Sequence, residues 1–280
     1  MTEPMKIVAR TTAPLKEVHH ALTDAAMLRE WLAEHVRVEL PERYEFWGRH
    51  TPEGDAPHQR LLHADDRGLR FAWLLGGEEM TTEFALSEGE DGGTLITVTQ
   101  TGVDEAAAQR GEGLQNVLYT FWYVATANLV DRLEGRAVTG WCDFAGAELR
   151  TEVEIAAPRE KVYDALIDGE KVSEWFGIPI GIEPFVGGRY AMGGLESGYA
   201  AKIVDLEPQR RLGVDWGEGV GVATWELADS DGATRLTFVQ SGFDRENPPF
   251  TGWCGSLSGL AELRRYLELP DWRPIWAPAA

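Results

Sequence analysis

The strongest constraint on this chain is an internal repeat. Residues 12–32 read TAPLKEVHHALTDAAMLREWL and residues 156–176 read AAPREKVYDALIDGEKVSEWF, so the same pattern returns without a gap. A second matching pair follows, with TLITVTQTGVD at residues 94–104 and TRLTFVQSGFD at residues 234–244. Each copy covers roughly 120 to 135 residues, which is much longer than a solenoid repeat and enough to bury a core of its own. The sequence therefore predicts two tandem copies of one domain.

The repeat divides the chain into four parts. We expect a first domain, a linker, a second domain and a C-terminal tail at residues 1–135, 136–148, 149–270 and 271–280. The linker contains Trp141 and Phe144 and is too apolar for a free tether, so we expect it to pack at the domain junction. The tail contains Trp272 and Trp276, and we expect it to lie on a surface groove with its last residues frayed.

Both copies are acidic. The chain has 26 Lys and Arg residues against 46 Asp and Glu residues, which gives a formal net charge of -20. Residues up to 135 carry 12 basic and 23 acidic side chains, leaving 14 and 23 for the remainder, so the two parts have net charges of -11 and -9. Because no stretch of the sequence concentrates basic residues, we expect the chain to repel nucleic acids and anionic membrane surfaces.

The sequence contains no pattern that predicts export or insertion into a membrane. Its apolar runs are far shorter than a membrane span, and the N-terminal residues MTEPMKIVAR lack the apolar core of a signal peptide. The two cysteines, Cys142 and Cys254, do not make a disulfide framework in a chain of this length. We therefore expect a cytoplasmic protein whose thiols are both reduced.

Each copy shows the same order of hydrophobic patterns. A short alternating strand leads into an Ala-Pro turn, and apolar residues then recur at helical spacing on both sides of an Asp, which predicts two short helices. Period-two patterns with glycine punctuation follow and predict antiparallel strands. We place these strands at residues 36–40, 43–47, 59–64, 69–75, 81–87 and 94–100 in the first copy and at residues 178–183, 188–192, 199–206, 211–216, 220–228 and 233–240 in the second.

A longer amphipathic helix ends each copy. Its apolar positions are Trp122, Ala125, Leu129 and Leu133 in the first copy and Trp253, Leu257, Leu260 and Leu267 in the second. A sheet with one apolar face needs a cover, and this helix is the element large enough to supply it. The fold class is therefore α+β, with a curved antiparallel sheet around a long C-terminal helix in each of the two domains.

Several motifs of the second copy occur together in one known superfamily. They are the opening AAPREKVYDALIDGEKVSEWF, the hairpin FVGGRY, the strands YAAKIVDLEPQRRLGVDW and VATWEL, the segment TRLTFVQSGF and the helix start GW. In this order they resemble the START/SRPBCC superfamily, the helix-grip fold of the birch pollen allergen. Within it, the chain is similar to the branch named for activators of the heat-shock protein 90 ATPase.

The first copy keeps only part of this signature. It has the opening, FAW and TLITVTQTG, but Glu42-Arg43-Tyr44 replaces GGRY and Phe121-Trp122 replaces GW. The resemblance implies a deep apolar cavity between sheet and helix, used across the superfamily for lipids, polyketides and other hydrophobic molecules and in some members for catalysis. The branch implies no shared reaction, and a fold alone does not give a function.

Two glutamines are candidate polar contacts for a ligand. Gln240 lies two residues beyond Phe238 in a row of apolar residues that face one side of a strand, and Gln100 lies two beyond Val98 in the same way. A polar group at the end of an apolar row suits a binding cavity. In the alternative interpretation, each glutamine bonds a nearby backbone group.

Strand alternation also directs several large rings to one interior in each copy. Wide aromatic walls favour a cavity for a flat or aromatic ligand, whereas the alternative is that the rings fill the interior. The candidate ligand-binding residues are Trp175, Arg189, Tyr190, Trp216, Trp225, Phe238, Gln240 and Trp253 in the second copy and Trp31, Tyr44, Trp73, Phe84, Gln100 and Trp122 in the first.

Other residue patterns are weaker candidates for binding a ligand, a cofactor or a metal ion. Arg189 and Arg43 are placed to meet a ligand carboxylate at the cavity mouth, or to form surface ion pairs. The glycines of residues 217–221 join two strands and do not open a helix, so we expect no nucleotide cofactor. All six histidines lie in the first copy without ligand spacing, so we expect no metal. Of these, His58 and His63 are candidates to titrate in a pocket.

Three functions from different classes fit the sequence. The leading hypothesis is a non-enzymatic protein that binds a hydrophobic or aromatic small molecule in at least one of its domains. The second is a polyketide-type cyclase, dehydratase or hydrolase, which requires an acid or base inside the cavity. The third is an interaction module or co-chaperone that acts on a heat-shock ATPase. The sequence shows no obvious acid or base inside the cavity, which weighs against the second hypothesis. It also shows no counterpart to the additional N-terminal domain of the eukaryotic activators, which weighs against the third.

Overall fold

The structure is a computed structural model that describes residues 4–111, 113–144 and 149–278. It divides into two compact units, which are described separately. The first unit contains the described residues of 1–145, 250–258 and 275–280, and the second contains those of 146–249 and 259–274. Among the described residues no helix is both long and apolar enough to cross a membrane.

The first unit is a mixed α and β structure. Its elements are β1 (Met5–Thr11), α1 (Leu15–Thr23), α2 (Ala25–Trp31), β2 (His35–Glu39), β3 (Arg43–Trp47), β4 (Gln59–Asp65), β5 (Gly68–Leu75), β6 (Glu78–Glu88), β7 (Thr94–Gln100), α3 (Glu105–Gln109) and α4 (Gly113–Leu133). Five strands form an antiparallel sheet in the order β1-β7-β6-β5-β4, and β2 pairs with β3 in a separate hairpin. The two short helices follow the first strand, as the sequence predicts.

The second unit repeats this order with one continuous sheet. Its elements are β8 (Leu149–Ile155), α5 (Arg159–Ile167), α6 (Gly169–Phe176), β9 (Ile180–Ile182), β10 (Arg189–Met192), β11 (Ala201–Glu207), β12 (Arg211–Asp215), β13 (Val222–Ser230), β14 (Ala233–Ser241) and α7 (Phe250–Glu268), of which the part from Gly259 belongs to this unit. The seven strands are antiparallel in the order β8-β14-β13-β12-β11-β10-β9. The predicted α+β fold class is confirmed.

The same side-chain hydrogen bonds hold the short helices in both copies. Trp31 Nε1 donates to Ala21 O at 3.0 Å, and Trp175 Nε1 donates to Ala165 O at 2.8 Å. All four residues are buried. A buried indole N–H needs an acceptor, and here it finds one on the preceding helix, so each tryptophan fixes the angle between its two short helices.

An aspartate begins the second short helix of each copy. The side chains of Asp24 and Asp168 each accept hydrogen bonds from two backbone amides of the following turn, at 2.9 to 3.3 Å. Aspartate is a preferred residue at this position because its carboxylate satisfies amides that the helix leaves unpaired. The bond from the Met27 amide is the main cause that holds the pKa of Asp24 below its ordinary value.

The sequence prediction differs from the structure in four respects. Most strand ends move by one to three residues, and α3 was not predicted. Tyr199 was placed in a strand, but β11 begins at Ala201. The hairpin β2–β3 is not bonded to β4 in the first unit, and the segment that joins them contains Pro52 and Pro57, which have no amide hydrogen to give to a sheet.

The last described residues extend the first sheet. Arg10 N donates to Ile275 O and Ala277 N donates to Val8 O, both at 2.8 Å, so the tail pairs with the edge strand β1. Ile275 is fully buried, and the Trp276 ring lies 4.9 Å from the ring of Tyr123. The expectation that the tail lies on a groove is therefore corrected: at this point it adds to a sheet edge, where it covers backbone groups that would otherwise be open.

The described part of the predicted linker is tied to the first unit. Asn128 Nδ2 donates to Gly140 O at 2.8 Å, and the Trp141 ring stacks on His50 at 5.8 Å. Arg49 forms an ion pair with Asp143. These contacts explain the apolar and charged composition of a segment that the sequence identified as too apolar for a free tether.

Candidate functional site

The site is built from the inner face of the second sheet. Trp225 of β13 pairs directly with Phe238 of β14, and their ring centroids are 5.1 Å apart. Trp216 follows β12, and its ring meets the edge of Tyr190 at 5.8 Å. We call these four residues, Tyr190, Trp216, Trp225 and Phe238, the second wall. Sheet register places all of them on the side that carries the apolar core of the second unit.

Two members of the second wall remain accessible. Phe238 is fully buried and Tyr190 is 6% exposed, whereas Trp216 and Trp225 are only partly buried. Trp225 lies in the middle of a strand that has a neighbour on each side. A tryptophan at the centre of an inner sheet face is normally covered by packing, whereas here solvent reaches part of the side chain.

The corresponding rings of the first unit are covered. We call Trp73, Phe84 and Trp122 the first wall, and all three are at most 1% exposed. Trp122 contacts Phe84 at 5.4 Å and Trp73 at 5.9 Å, and Phe46 meets Trp73 at 5.1 Å. These edge-to-face contacts are typical of a close-packed core. In the first unit, the rings therefore fill the interior at this face, which is the alternative that the sequence left open.

The two predicted glutamines differ in how far they are satisfied. Gln100 Oε1 accepts from Thr82 Oγ1 at 2.6 Å and from Trp122 Nε1 at 3.0 Å, while Gln100 Nε2 donates to the backbone of Thr101 at 2.9 Å. This side chain is fully buried and locked by its partners. Its oxygen therefore has no free capacity for a ligand.

Gln240 keeps its oxygen available. Its Nε2 donates to Val220 O at 3.1 Å, and among the described residues its Oε1 accepts no hydrogen bond. The strand partner of Gln240 is Ala223, whereas the partner of Gln100 is Thr82, so the second copy lacks the hydroxyl that occupies the first glutamine. Gln240 is 2% exposed, and an acceptor in such surroundings favours a ligand that donates a hydrogen bond.

Three predicted residues have structural partners instead of an open face. Trp31 and Trp175 each donate to a backbone carbonyl of the preceding helix, as described above. Trp253 is fully buried and its ring meets Phe250 at 5.0 Å, in the part of α7 that belongs to the first unit. The structure does not present these three indoles as an accessible surface within either wall.

The two predicted tyrosines are buried. Burial raises the pKa of Tyr190 and of Tyr44 well above the ordinary value for a phenol, so both stay neutral at physiological pH. Tyr44 lies 5.5 Å from the Phe71 ring and is 1% exposed. Tyr44 Oη and Trp73 Nε1 are buried without a hydrogen-bond partner among the described residues.

The two predicted arginines form surface ion pairs. Arg189 Nε and one of its terminal nitrogens donate to the two carboxylate oxygens of Glu183, both at 3.0 Å, and Arg189 is exposed. Arg43 lies within 4 Å of Glu39 and Glu45. The interpretation as surface ion pairs therefore accounts for the observed contacts of both residues.

Sequence reasoning missed Tyr199, which covers part of the second wall. The ring of Tyr199 stacks on Trp216 at 6.4 Å with an angle of 22° between the planes, and Tyr199 Oη donates to Trp216 O at 3.4 Å. Tyr199 itself is 54% exposed. It follows a loop in which Gly193, Gly194 and Gly198 adopt positive φ, so the loop has a backbone that favours glycine. The cluster of glycines was the signal for this loop.

The other reactive groups give no acid, base or nucleophile at the second wall. Burial raises the pKa of the Cys254 thiol to about 12 and also raises that of Cys142. His63 pairs with Asp65 at 2.9 Å on an exposed strand, and His58 lies 3.5 Å from Asp55. Among the described residues no group of three or more His, Cys, Asp or Glu side chains is arranged to hold a metal ion.

The comparison with protein families gives one match to each copy. The family model described as Activator of Hsp90 ATPase homolog 1-like protein matches residues 12–131 and 156–264. Together these ranges cover most of the chain. No curated protein sequence matches it.

Several solved structures are similar to the chain at low identity. DynU16, from the dynemicin biosynthetic locus, is 17% identical and covers 96% of this chain and 98% of its own, with a TM-score of 0.39. The Aha1 protein of Colwellia psychrerythraea, solved as a dimer, is 19% identical over 45% of this chain and 100% of its own, with a TM-score of 0.39. PFC0360w, an HSP90 activator from Plasmodium falciparum, is 18% identical over 35% and 75%, with a TM-score of 0.32. At these scores the likenesses carry no argument about function.

Proposed function

The chain belongs to the family of activator of Hsp90 ATPase homolog 1-like proteins, with one copy in each repeat, and on this premise we propose that its second wall binds one flat, mainly apolar small molecule. The observation that carries the proposal is the exposure of Trp216 and Trp225 on an inner sheet face, where the first unit has the buried rings of Trp73 and Phe84. The second copy is therefore the binding domain, and the first copy supports it.

The energetics favour a planar ligand. A ligand gains roughly 2.5 kcal/mol of hydrophobic free energy for every ~100 Å² of apolar surface that binding buries. Stacking or edge contacts between aromatic rings add about 0.5 to 1.5 kcal/mol for each pair, and an aliphatic chain does not gain this term. A ligand with fused or conjugated rings is therefore the best match to Trp216 and Trp225.

Gln240 provides selectivity at this wall. The side-chain oxygen of this residue, which is 2% exposed, is the acceptor that favours a ligand hydroxyl or N–H. A site that bonds a donor discriminates strongly against an analogue without it, because the buried acceptor is then left unpaired. We therefore propose a flat apolar ligand that carries at least one hydrogen-bond donor at its edge.

The remaining features of the proposal follow from the sequence. We propose domains at residues 1–135 and 149–270, with the linker at 136–148 and the tail at 271–280. The net charge of -20 supports a hydrophobic small molecule, in preference to a nucleic acid or an anionic membrane, as the partner. We propose the cytoplasm as the place of action. The four side chains of the second wall include no carboxyl or imidazole group, which supports binding over acid–base catalysis.

A fluorescent aromatic amine tests the proposal. 1-Aminoanthracene is flat, is mainly apolar and carries an N–H donor, and its excitation by nearby tryptophan reports binding. We expect saturable binding of one molecule per chain and a loss of affinity of at least about tenfold in Trp225→Leu.

The matched control for this titration is Phe84→Leu, which changes the equivalent buried ring of the first unit. We expect its affinity to stay within about twofold of the wild type, provided that it remains folded by circular dichroism. Absence of saturable binding in the wild type, or equal losses in the two variants, would contradict the proposal.

A further inference from the structure

The outer face of the second sheet carries a groove that the proposed function does not use. It has a volume of about 370 Å³, and its lining consists mainly of three glutamates and four arginines, Arg150, Arg210, Arg211 and Arg235. We propose that this groove binds a small anion that carries two or more carboxylate or phosphate groups. The proposal does not depend on ligand binding at the second wall, because the two sites lie on opposite faces of the sheet.

Sheet register assembles the groove from distant parts of the sequence. Thr237 of β14 pairs with Glu152 on one side and with Glu226 on the other, and Glu226 in turn pairs with Arg211 of β12. These four side chains therefore form one row across four strands. Arg235 lies two residues from Thr237 on the same face of β14.

The carboxylates of the groove already have partners. Arg211 donates to Asp205 and to Glu226, both at 3.0 Å, and also lies 3.6 Å from Glu207. Glu152 accepts a hydrogen bond from Thr237 Oγ1 at 3.2 Å. The acidic side chains are thus directed to Arg211 and to a hydroxyl, and in the part of the chain that the structure describes none of them forms an ion pair with the other arginines of the groove.

Three arginines remain available around the groove. Arg150, Arg210 and Arg235 are exposed, and within the described residues none of them forms an ion pair. The nearest strand partner of Arg235 is Glu154, whose carboxylate instead accepts from Ser230 Oγ at 2.8 Å. The lining holds four arginines against three glutamates, which is a small excess of positive charge in a chain with 46 acidic and 26 basic residues.

The first copy does not have this arrangement. By strand register, Lys6 takes the position of Arg150, Leu95 that of Arg235 and Gly68 that of Arg211. The groove is therefore a property of the second copy and not of the shared fold.

The chemistry of the groove selects the class of ligand. A guanidinium group offers a planar fork of donors that fits carboxylate and phosphate oxygens, and several such groups favour an anion with more than one acidic group. The ligand is small because the net charge of the whole chain repels a large polyanion at long range, whereas short contacts inside the groove are local.

Isothermal titration calorimetry of the full chain with citrate and with pyrophosphate, at low ionic strength, tests the inference. We expect saturable binding of one anion per chain for at least one of the two. Citrate alone indicates a carboxylate ligand and pyrophosphate alone indicates a phosphate ligand. Replacing all three available arginines, as Arg150→Gln, Arg210→Gln and Arg235→Gln, is expected to weaken binding by at least about tenfold.

The matched control is Arg70→Gln, which removes one exposed arginine from the outer face of the first sheet. We expect this variant to bind as the wild type does. Because all four arginines are exposed, we expect the melting temperatures of the variants to stay close to that of the wild type. If the triple variant does not fold, the single variant Arg235→Gln is titrated in its place. No saturable binding of either anion, unchanged binding in the arginine variants, or an equal loss in Arg70→Gln would overturn the inference.

Discussion

Phe84 and Trp225 occupy equivalent positions in the two copies, but their surroundings differ. Phe84 is 1% exposed and meets Trp31 and Trp122 edge-on, whereas Trp225 is partly exposed. Removing a ring from a filled core costs the transfer free energy of the ring and leaves a cavity. Removing a partly exposed ring costs less transfer free energy and leaves a smaller cavity. The same substitution therefore distinguishes a core residue from a wall residue.

We expect Phe84→Ala to lower the free energy of unfolding by about 3 to 5 kcal/mol and Trp225→Ala to lower it by about 1 to 2 kcal/mol. Urea denaturation monitored by circular dichroism measures both. A cost for Trp225→Ala that equals or exceeds the cost for Phe84→Ala would show that the second wall is as tightly packed as the first.

Cys142 and Cys254 are expected to be inert in the folded chain. Both are buried, and burial raises the pKa of Cys254 to about 12. A thiolate is the reactive form, so a disulfide reagent at about pH 8 should label neither residue in the native protein and both after denaturation. Rapid labelling of the native chain would contradict the burial of these thiols.

The same burial gives a pH dependence with a definite sign. In the unfolded chain a cysteine ionises near pH 8.5, while in the folded chain Cys254 stays protonated until about pH 12. Above roughly pH 8.5 the folded state therefore binds more protons than the unfolded state, and the free energy of unfolding should fall as the pH rises through this window. Below roughly pH 8.5 this thiol contributes no slope.

At the scale of elements, Gly259 sets how closely α7 approaches the short helices of the second unit. A Cβ atom at this position would lie 3.0 Å from Phe176 Cε2 and 3.3 Å from Trp175 Cζ3. Trp175 is also fixed by its hydrogen bond to Ala165, so it cannot move away without losing an acceptor. A larger residue must therefore displace either the helix or the rings.

We expect Gly259→Leu to lower the free energy of unfolding by about 1 to 3 kcal/mol through overpacking. Gly259→Ala is the smaller change for comparison, because its Cβ requires Phe176 and Trp175 to give by only a few tenths of an ångström, and a gain in helix propensity of roughly 0.5 to 1 kcal/mol opposes that cost. Thermal denaturation compares the two variants. A Gly259→Leu protein as stable as the wild type would show that this helix contact is loose.

Much of the element order could be predicted from the sequence because its signals are local. The helix pair of each copy follows from apolar spacing around Asp24 and Asp168, and the strands follow from alternation. The separation of β2–β3 from the first sheet could not be predicted, since it depends on which strands bond to each other. Tyr199 was misplaced in a strand because its Tyr-Ala-Ala context alternates weakly, and the preceding glycines determine where the loop ends.

At the scale of the whole molecule, two copies of one fold have different interiors and different outer faces. In the first copy Thr82 and Trp122 both donate to the oxygen of Gln100, whereas Ala223, the strand partner of Gln240 in the second copy, has no hydroxyl to donate. Sequence alternation correctly directed the rings of both copies inward, but it does not report whether a helix or another ring covers them. That distinction depends on packing between distant segments, as does the arginine groove, whose residues come from five strands and the turn at Arg210.

Native mass spectrometry of protein purified gently from its own host tests the central claim most directly. The wild type, Trp225→Leu and Phe84→Leu are compared intact and after denaturing release of any bound compound. We predict one additional small-molecule mass on the wild type and on Phe84→Leu, and its loss from Trp225→Leu. A wild type without additional mass, or a Trp225→Leu protein that retains the same mass, would contradict the claim that the second wall is the binding site.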